Sequence, residues 1–350
     1  MADIRGRCEN RFSKVGEVLA ASLDTDDVGA SVAVFVDGEP VVDLWGGYAD
    51  RARTVAWDRD TITNVWSTTK TMTALCALVL ADRGDLDLDA PVAAYWPEFA
   101  AAGKETVLVR HLLGHTAGLP DFDGPITVAD LFDWPAVTAR LAAQAPRWEP
   151  GTQAGYHSVT FGFLVGEVVR RVTGRSLGTF FAEEVAGPLG ADFHIGLPEE
   201  HDHRVAPLIA DPRGDKPPGF LIGVSDSHTE AWRRAELPAV NGFGNARSVA
   251  AVQSVLACGG GRLVSKAGAE RVFDEQFHGV DTILGVPMRY GLGYRLENRT
   301  FSWGGWGGSV VFVDVDQRMA VAYVMNQTLW DNGYARGLNL VFAAYDGVMA

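Results

Sequence analysis

Cysteine is scarce in this chain, and long apolar runs are absent from it. The three cysteines, Cys8, Cys76 and Cys258, are an odd number without paired spacing, which argues against a disulfide framework and against a thiolate zinc site. No stretch reaches the roughly 18 continuous apolar residues of a membrane span. The basic first residues are not followed by an apolar core, so they do not resemble a secretory signal. We therefore expect a soluble, cytoplasmic protein.

Basic charge is also in short supply. The 350-residue chain has 30 basic and 44 acidic residues, a net charge of −14, and only five of the basic residues are lysines. Such a chain repels phosphate backbones and anionic lipids, so neither nucleic acid nor a membrane is an expected partner. Its 47% apolar and 21% charged residues are ordinary for a globular protein with a sizeable core. A lysine with a chemical function must come from a very short list.

Strand patterns occupy both ends of the chain. Alternating apolar residues flank Asp37-Gly38, which is typical of a hairpin. Further short apolar or alternating runs predict strands over residues 290–296, 310–314 and 319–325. Helices are expected beside these strands, over residues 9–23 and from about 336 to 345.

Helical periods dominate the middle of the chain instead. A helix is predicted from Ser67 to Asp82, and residues 195–235, which have no periodicity, are expected to form loops. This order predicts an α+β fold, in which helices flank a largely antiparallel sheet built from both chain ends. We expect two subdomains: a sheet subdomain made of residues 1–65 and 245–350, and an inserted, mainly helical subdomain made of residues 66–244.

Two short motifs offer a nucleophilic serine. Residues 174–178 have the sequence Gly-Arg-Ser-Leu-Gly, which fits the G-x-S-x-G elbow of α/β-hydrolases. Residues 67–70 have the sequence Ser-Thr-Thr-Lys, an S-x-x-K motif. By chance, a chain of this composition would hold about 0.17 of the first motif and about 0.19 of the second, so frequency does not separate them.

The surroundings favour Ser67. The elbow needs a strand before its serine, but residues 161–172, which precede Ser176, have a helical period. Positions i and i+3 share a helix face, so at a helix start the Lys70 amine can meet the Ser67 hydroxyl, and the helix N-terminus favours an oxyanion there. Burial beside Trp66 would lower the pKa of Lys70 and let its amine accept a proton at neutral pH.

On their own, these four residues fit a serine helix cap followed by a solvated lysine equally well. Further segments favour catalysis, because together and in order they resemble the serine β-lactamase and penicillin-recognising superfamily. Within it, the chain is most similar to class C β-lactamases and family VIII carboxylesterases. The resemblance runs from about residue 20 to 345 and rests on residues 67–70, 83–91, 111–119, 150–152, 156–158 and 303–305.

The resemblance implies a β-lactamase/transpeptidase-like fold with the active site at the junction of the two subdomains. Ser67 would be the acylated nucleophile, Lys70 its proton-relay partner, and Tyr156 the residue that acts with the lysine as general base. A free tyrosine has a pKa of about 10, and a neighbouring ammonium would stabilise its phenolate form. Taken alone, Tyr156 would more commonly be a half-buried, hydrogen-bonded ring.

Two positions depart from the β-lactamase pattern. Trp303-Gly304-Gly305 stands where those enzymes carry Lys-Thr-Gly, so the cation that holds a β-lactam carboxylate is missing, and Ser158 stands in place of an asparagine. Family VIII esterases resemble this pattern. The resemblance then implies an oxyanion hole made by the N–H groups of Ser67 and Trp306. Substrate-binding roles are expected for Trp303, Gly304, Gly305, His157 and Ser158, although His157 could instead tune the neighbouring base or make a structural hydrogen bond. Residues 303–308 also fit a strand-edge bulge with two core tryptophans, which is compatible with those roles.

No metal or organic cofactor is expected, because His201 and His203 have metal-like spacing but no third ligand nearby. The sequence predicts a serine carboxylesterase that cleaves small or short-chain esters through an acyl-enzyme. One alternative keeps the fold and changes the acyl donor: a β-lactamase, a D-amino-acid or small-amide hydrolase, or an acyltransferase. Another is a non-catalytic binding protein that retains the cleft.

Overall fold

The computed structural model of the protein describes residues 3–331 and 333–350. Its strands are β1 (Ile4–Cys8), β2 (Gly29–Val36), β3 (Glu39–Gly47), β4 (Thr63–Asn64), β5 (Phe193–His194), β6 (Phe243–Gly244), β7 (Phe277–Val280), β8 (Pro287–Tyr290), β9 (Arg295–Glu297), β10 (Thr300–Gly304), β11 (Val310–Asp314) and β12 (Met319–Met325). Nine of them form one antiparallel sheet in the order β1-β3-β2-β12-β11-β10-β9-β8-β7, and β4, β6 and β5 form a small second sheet. The large sheet therefore comes from both chain ends, as the sequence predicts.

The helices are α1 (Ser13–Thr25), α2 (Thr69–Arg83), α3 (Val109–Leu113), α4 (Trp134–Ala143), α5 (Thr160–Thr173), α6 (Leu177–Phe181), α7 (Gly187–Leu189), α8 (Glu230–Arg234), α9 (Ala246–Ala257), α10 (Lys266–Glu270) and α11 (Gly333–Met349). A π-helical segment, Ala182–Ala186, joins α6 to α7. Within residues 3–331 and 333–350, no helix combines the length and apolar character that crossing a membrane requires.

The central strands are apolar on both faces because both faces are covered. Side chains of β2 alternate between two clusters, with Val32 and Val34 packed on the side of α1 and α11, and Ala33 and Phe35 on the side of α9. The period of two in a strand places successive side chains on opposite faces. The sheet is thus the middle layer of the fold. The division into two subdomains at residues 66 and 244 stays a prediction.

Helix α2 is buried all round, and it carries the predicted catalytic lysine. Every residue from Thr69 to Leu80 is buried, as expected for a helix without a polar face. It ends at Gly84, whose φ of +80° is the left-handed conformation that favours glycine at a helix end. The helix begins two residues after the predicted start at Ser67, because Trp66 has a φ of +48° and the chain is still turning there.

The prediction of one strand over residues 290–296 is wrong in its middle. Strand β8 ends at Tyr290 and β9 begins at Arg295, with a bend between them. Gly293 has a φ of +90°, and a Cβ placed there would lie 2.2 Å from the Cβ of Ala74 on α2. The bend therefore presses the chain against α2, and only glycine fits that approach.

Candidate active site

Ser67 lies in a strained turn between β4 and α2. Its neighbour Trp66 has a positive φ, which for so bulky a residue persists only where the surroundings hold it. The Trp66 carbonyl accepts the N–H of Thr69 at 2.9 Å, and its ring lies 5.7 Å from the ring of Trp232 and 5.1 Å from that of Trp306. The backbone hydrogen bond and the packing of the Trp66 ring therefore both fix the turn that presents Ser67.

Two proton-bearing groups meet the Ser67 hydroxyl. Lys70, three residues further along the chain, donates from Nζ to Ser67 Oγ at 3.1 Å. The Tyr156 hydroxyl, which arrives from the loop before α5, donates to the same oxygen at 2.7 Å. The structure thus brings together the three residues that the resemblance assigned to catalysis, although 89 positions separate the serine from the tyrosine.

Lys70 is fully buried, and the backbone holds its amine in place. Its Nζ donates to the carbonyl oxygens of Ser158 at 2.7 Å and Ala239 at 3.0 Å, and it lies 4.8 Å from the centre of the Tyr156 ring. Burial disfavours the ammonium and lowers the pKa of Lys70 well below its ordinary value. The amine is therefore suited to accept a proton near neutral pH. The sequence could not indicate the Ala239 contact, because every residue type has a backbone carbonyl that could accept this hydrogen bond.

Tyr156 is perturbed in the opposite direction. Burial raises the pKa of its phenol to about 12, and hydrogen bonds with Ser67 and Trp303 offset only part of that effect. Desolvation therefore dominates the environment of this hydroxyl, and stabilisation of its phenolate by a neighbouring ammonium stays a prediction. At rest Tyr156 is a neutral phenol, and Lys70 is the member of the pair that loses its proton more readily.

The turn after β10 lies directly against the segment that carries Ser67. A Cβ on Gly305 would lie 2.2 Å from the carbonyl oxygen of Val65, so the backbones touch. Ser309 Oγ fastens the contact, since it donates to the Val65 carbonyl at 2.8 Å and lies 3.0 Å from Thr68 Oγ1. The position of Gly305 requires glycine because any side chain would collide with this segment.

The same turn aims one backbone N–H outward. The Gly308 N–H donates to the Gly305 carbonyl at 3.1 Å, which closes a β-turn with Trp306 and Gly307 at its centre. Gly307 has a φ of +87°, as the third residue of a type II turn requires. Because the Gly305 carbonyl points into the turn, the Trp306 N–H on the same peptide group points away from it.

His157 and Trp303 are largely buried, and their rings contact other groups of the protein. His157 is fully buried, its Nε2 accepts the Leu119 N–H at 3.1 Å, and its Nδ1 donates to the Gly155 carbonyl at 2.6 Å. Both ring nitrogens are occupied, and burial lowers the pKa of this histidine to about 3, so the prediction of a substrate contact is wrong for its side chain. Trp303 is 7% exposed, and its ring lies 5.4 Å from that of His115 and 5.7 Å from that of Tyr156. A substrate contact by Trp303 stays a prediction.

The remaining predicted contacts are backbone or surface groups. Ser158 has an exposed side chain, and its carbonyl serves Lys70. Gly304 ends β10 and is half-buried, as is Gly305. A substrate contact by these three residues stays a prediction.

His115 is a residue whose central place the sequence did not show. It is fully buried with a φ of +59°, and its Nδ1 accepts the His157 N–H at 3.2 Å. Its ring lies between 5.0 and 5.6 Å from the rings of Tyr156, His157, Phe161, Tyr290 and Trp303. No local pattern in the sequence indicates this cluster, because the five rings come from several separate parts of the chain.

The competing serine has a structural role. Ser176 follows helix α5, with no strand before it, and caps α6 by accepting the Thr179 N–H at 3.2 Å. It also donates to the Glu236 carboxylate at 2.6 Å, and the strand that a nucleophile elbow requires before its serine is replaced by α5. No cluster of three or more histidine, cysteine or acidic side chains suited to a metal occurs in the described part of the chain.

Comparisons with known proteins identify the family of this chain. A model of the Beta-lactamase family matches residues 18–344. The esterase/beta-lactamase LipL of Mycobacterium tuberculosis is 36% identical over 362 residues, which cover 93% of this chain and 83% of LipL. The crystal structure of a family VIII carboxylesterase is 43% identical with a TM-score of 0.93, and the match covers 99% of this chain and 100% of that one. A penicillin-binding protein homologue from Caulobacter crescentus is 38% identical with a TM-score of 0.92 and the same coverage. The chain therefore belongs to the beta-lactamase family.

Proposed function

We propose that this protein is a serine carboxylesterase that cleaves small or short-chain carboxylic esters through an acyl-enzyme on Ser67. The observation that carries the proposal is the convergence of Lys70 Nζ and Tyr156 OH on Ser67 Oγ, at 3.1 and 2.7 Å. An alcohol held by a buried amine and a phenol is the arrangement of an activated nucleophile. Support for an ester as the acyl donor comes from the names of LipL and the family VIII relative.

Acylation follows from the three contacts. Ser67 Oγ attacks the ester carbonyl carbon, and its proton passes to the neutral amine of Lys70, either directly or through the Tyr156 hydroxyl. The N–H groups of Ser67 and Trp306 hold the resulting oxyanion. When the tetrahedral intermediate collapses, the carbon–oxygen bond to the alcohol breaks, and the proton held by Lys70 returns through Tyr156 to the alkoxide. The serine ester and a free alcohol result.

Deacylation uses the same groups on a water molecule. Lys70 and Tyr156 remove one proton from the water as its oxygen attacks the acyl carbon, and the oxyanion forms in the same place. Collapse returns the proton to Ser67 Oγ and releases the carboxylic acid. Neither step needs a charged Tyr156, which agrees with its raised pKa of about 12.

A second acyl donor, a β-lactam, is suggested by the name of the esterase/beta-lactamase LipL. The largely buried ring of Trp303 stands where the β-lactamases that this sequence resembles carry a lysine, so the cation that would hold the lactam carboxylate is replaced by an apolar group. We therefore expect ester turnover to exceed β-lactam turnover. Hydrolysis of a chromogenic cephalosporin at a rate comparable with that of the ester would reverse this ranking.

The test of the proposal pairs two serine variants. Ser67→Ala should abolish hydrolysis of p-nitrophenyl butyrate without unfolding the protein, whereas Ser176→Ala should retain it, because Ser176 only caps a helix. Mass spectrometry after treatment with a fluorophosphonate should place the adduct on Ser67. Full activity in Ser67→Ala would overturn the assignment, and failure of the intact protein to be labelled would favour a non-catalytic binding protein.

A further inference from the structure

A buried ion pair lies behind the turn that carries Trp306. Arg336, on α11, is 6% exposed, and Asp27, which follows α1, is 1% exposed. Arg336 Nη1 donates to one carboxylate oxygen of Asp27, and the hydroxyl groups of Ser22 and Tyr323 donate to the other. Such a pair is stable only if its remaining hydrogen-bonding capacity is satisfied, and the second guanidinium nitrogen must also find acceptors.

Those acceptors lead to the candidate active site. Arg336 Nη2 donates to the Gly307 carbonyl at 2.6 Å and to the Gln327 carbonyl at 3.0 Å. The peptide group that contains the Gly307 carbonyl also contains the Gly308 N–H, which donates to the Gly305 carbonyl at 3.1 Å. The peptide group of that carbonyl contains the Trp306 N–H. A chain of hydrogen bonds therefore runs from the guanidinium through two peptide groups to the Trp306 N–H, the group predicted to bind the oxyanion.

The two peptide groups, Gly305–Trp306 and Gly307–Gly308, have their dipoles pointing in the same direction. In each, the carbonyl oxygen faces the donor on the Arg336 side and the N–H faces the next acceptor. A charged donor at the start of such a chain polarises every later member, by about 10–30% per bond, and a buried site weakens this less than water would. The close approach also explains a glycine, since a Cβ on Gly308 would lie 2.6 Å from Arg336 Nη2.

We propose that Arg336 is a positioning residue for ester cleavage. Fixed by Asp27, its guanidinium orients and polarises the Gly305–Gly308 turn, so that the Trp306 N–H faces the oxyanion formed at Ser67. The inference rests on the proposed function, and it concerns the stabilisation of the tetrahedral intermediate rather than the binding of the ester. Loss of one oxyanion donor typically lowers kcat by 10²–10³-fold, and loss of its support should lower kcat by less.

The experiment removes the charge while keeping the shape of the pair. The double variant Asp27→Asn/Arg336→Gln should show a kcat for p-nitrophenyl butyrate about tenfold lower, with KM changed less than twofold. Affinity for an alkyl trifluoromethyl ketone, which Ser67 converts to a tetrahedral oxyanion, should fall by the same factor as kcat/KM. Glu167→Gln is the matched control, because Glu167 is a buried carboxylate paired with Arg170 and Arg171. It should lower Tm and leave both readouts unchanged.

A folded double variant with wild-type kcat and wild-type ketone affinity would overturn the inference. If that variant does not fold, Arg336→Lys decides, because an ammonium cannot reproduce the planar fork that bonds Asp27 and Gly307 together. We expect it to lose several-fold in kcat and in ketone affinity, and no loss in either would also overturn the inference. Persistent turnover in Ser67→Ala would instead overturn the proposed function itself, so the two failures are distinguishable.

Discussion

Lys70 and Lys104 are both fully buried, but the groups around their amines differ. Lys104 Nζ donates to three backbone carbonyls, at 2.7 Å to Ala101, at 2.9 Å to Ala142, and to Gln144. A carbonyl oxygen has no proton to give, so these contacts only join residues 101–104 to the end of α4. Lys104 is a structural cation.

The amine of Lys70 also has three acceptors, but one of them is a hydroxyl group and not a carbonyl. Two of its acceptors are backbone oxygens, and the third is Ser67 Oγ, which carries an exchangeable proton and also accepts from Tyr156. Burial lowers the pKa of both lysines, so a shifted pKa alone does not identify the catalytic one. The catalytic lysine is identified by its third acceptor, the Ser67 hydroxyl, which can exchange a proton.

The largest expected effect comes from removing the amine of each lysine in turn. Lys70→Met should lower kcat for p-nitrophenyl butyrate on the order of 10⁴-fold, because it removes the proton acceptor of both half-reactions. Lys104→Met should leave kcat within about threefold, because Lys104 lies among carbonyls that do not exchange protons. Steady-state kinetics of the two folded variants is the measurement. Equal losses in both would mean that burial, and not the neighbouring hydroxyl, distinguishes these lysines.

The second test removes the other hydroxyl next to Lys70. Tyr156→Phe should lower kcat on the order of 10²-fold, since it deletes the path by which the proton reaches the leaving alkoxide. The matched control is Tyr294→Phe, because the Tyr294 hydroxyl is buried and donates to Thr71 O at 3.1 Å and Gln253 Oε1 at 3.0 Å, away from Ser67. It should change stability alone. A larger kinetic effect in Tyr294→Phe than in Tyr156→Phe would contradict the proton path.

The sequence could predict the local half of the site and not the distant half. Ser67 and Lys70 are three residues apart, so helical geometry alone brings them together. Tyr156 could be added only through the resemblance, because no local pattern indicates that a loop 89 positions away reaches Ser67. Lys104 has no local signal either, since two of its acceptors lie 38 and 40 residues further along the chain.

The fold shows the same division. The hairpin at Asp37-Gly38 and the apolar strands at 310–314 and 319–325 were predictable, because alternation and turn chemistry are local. The bend at Gly293 was not, because its cause is the contact with Ala74 on α2, 219 residues earlier in the chain. His157 was assigned to the substrate because it follows Tyr156, but the backbone at Leu119 and Gly155 holds its ring in the interior.

The third test is the pH dependence of ester cleavage. Lys70 must be neutral to accept a proton, so kcat/KM should fall about tenfold per pH unit below its lowered pKa and should be constant above it. No alkaline decrease is expected until the pH approaches the pKa of about 12 for Tyr156, because the phenol stays protonated until then. Lys104→Met should leave the profile unchanged. Activity that is highest in acid would show that the ammonium form of Lys70 is the active one.

The smallest effect is on stability, and here the order of the two lysines should reverse. Lys104→Met removes the donor from three carbonyls, two of which, those of Ala142 and Gln144, belong to buried residues. Buried groups left unsatisfied cost about 1–3 kcal/mol each before relaxation, so we expect a loss of about 3 kcal/mol in the free energy of unfolding. Lys70→Met leaves one such carbonyl, that of Ala239, because Ser158 is exposed. It also removes an amine whose protonation the folded state resists, so about 1 kcal/mol is expected.

The sign of the pH effect on stability separates these contributions. Because the pKa of Lys70 is lower in the folded state than its ordinary value of about 10.4, the unfolded chain binds more protons between those two values. The free energy of unfolding of the wild type should therefore rise with pH across that window. Lys70→Met should lose the part of this rise that Lys70 supplies, whereas the part that comes from the lowered pKa of Lys104 should remain. Urea denaturation at several pH values measures both variants. A larger loss in Lys70→Met than in Lys104→Met at every pH would show that Lys70 also stabilises the fold, and the contrast between a structural and a catalytic lysine would fail.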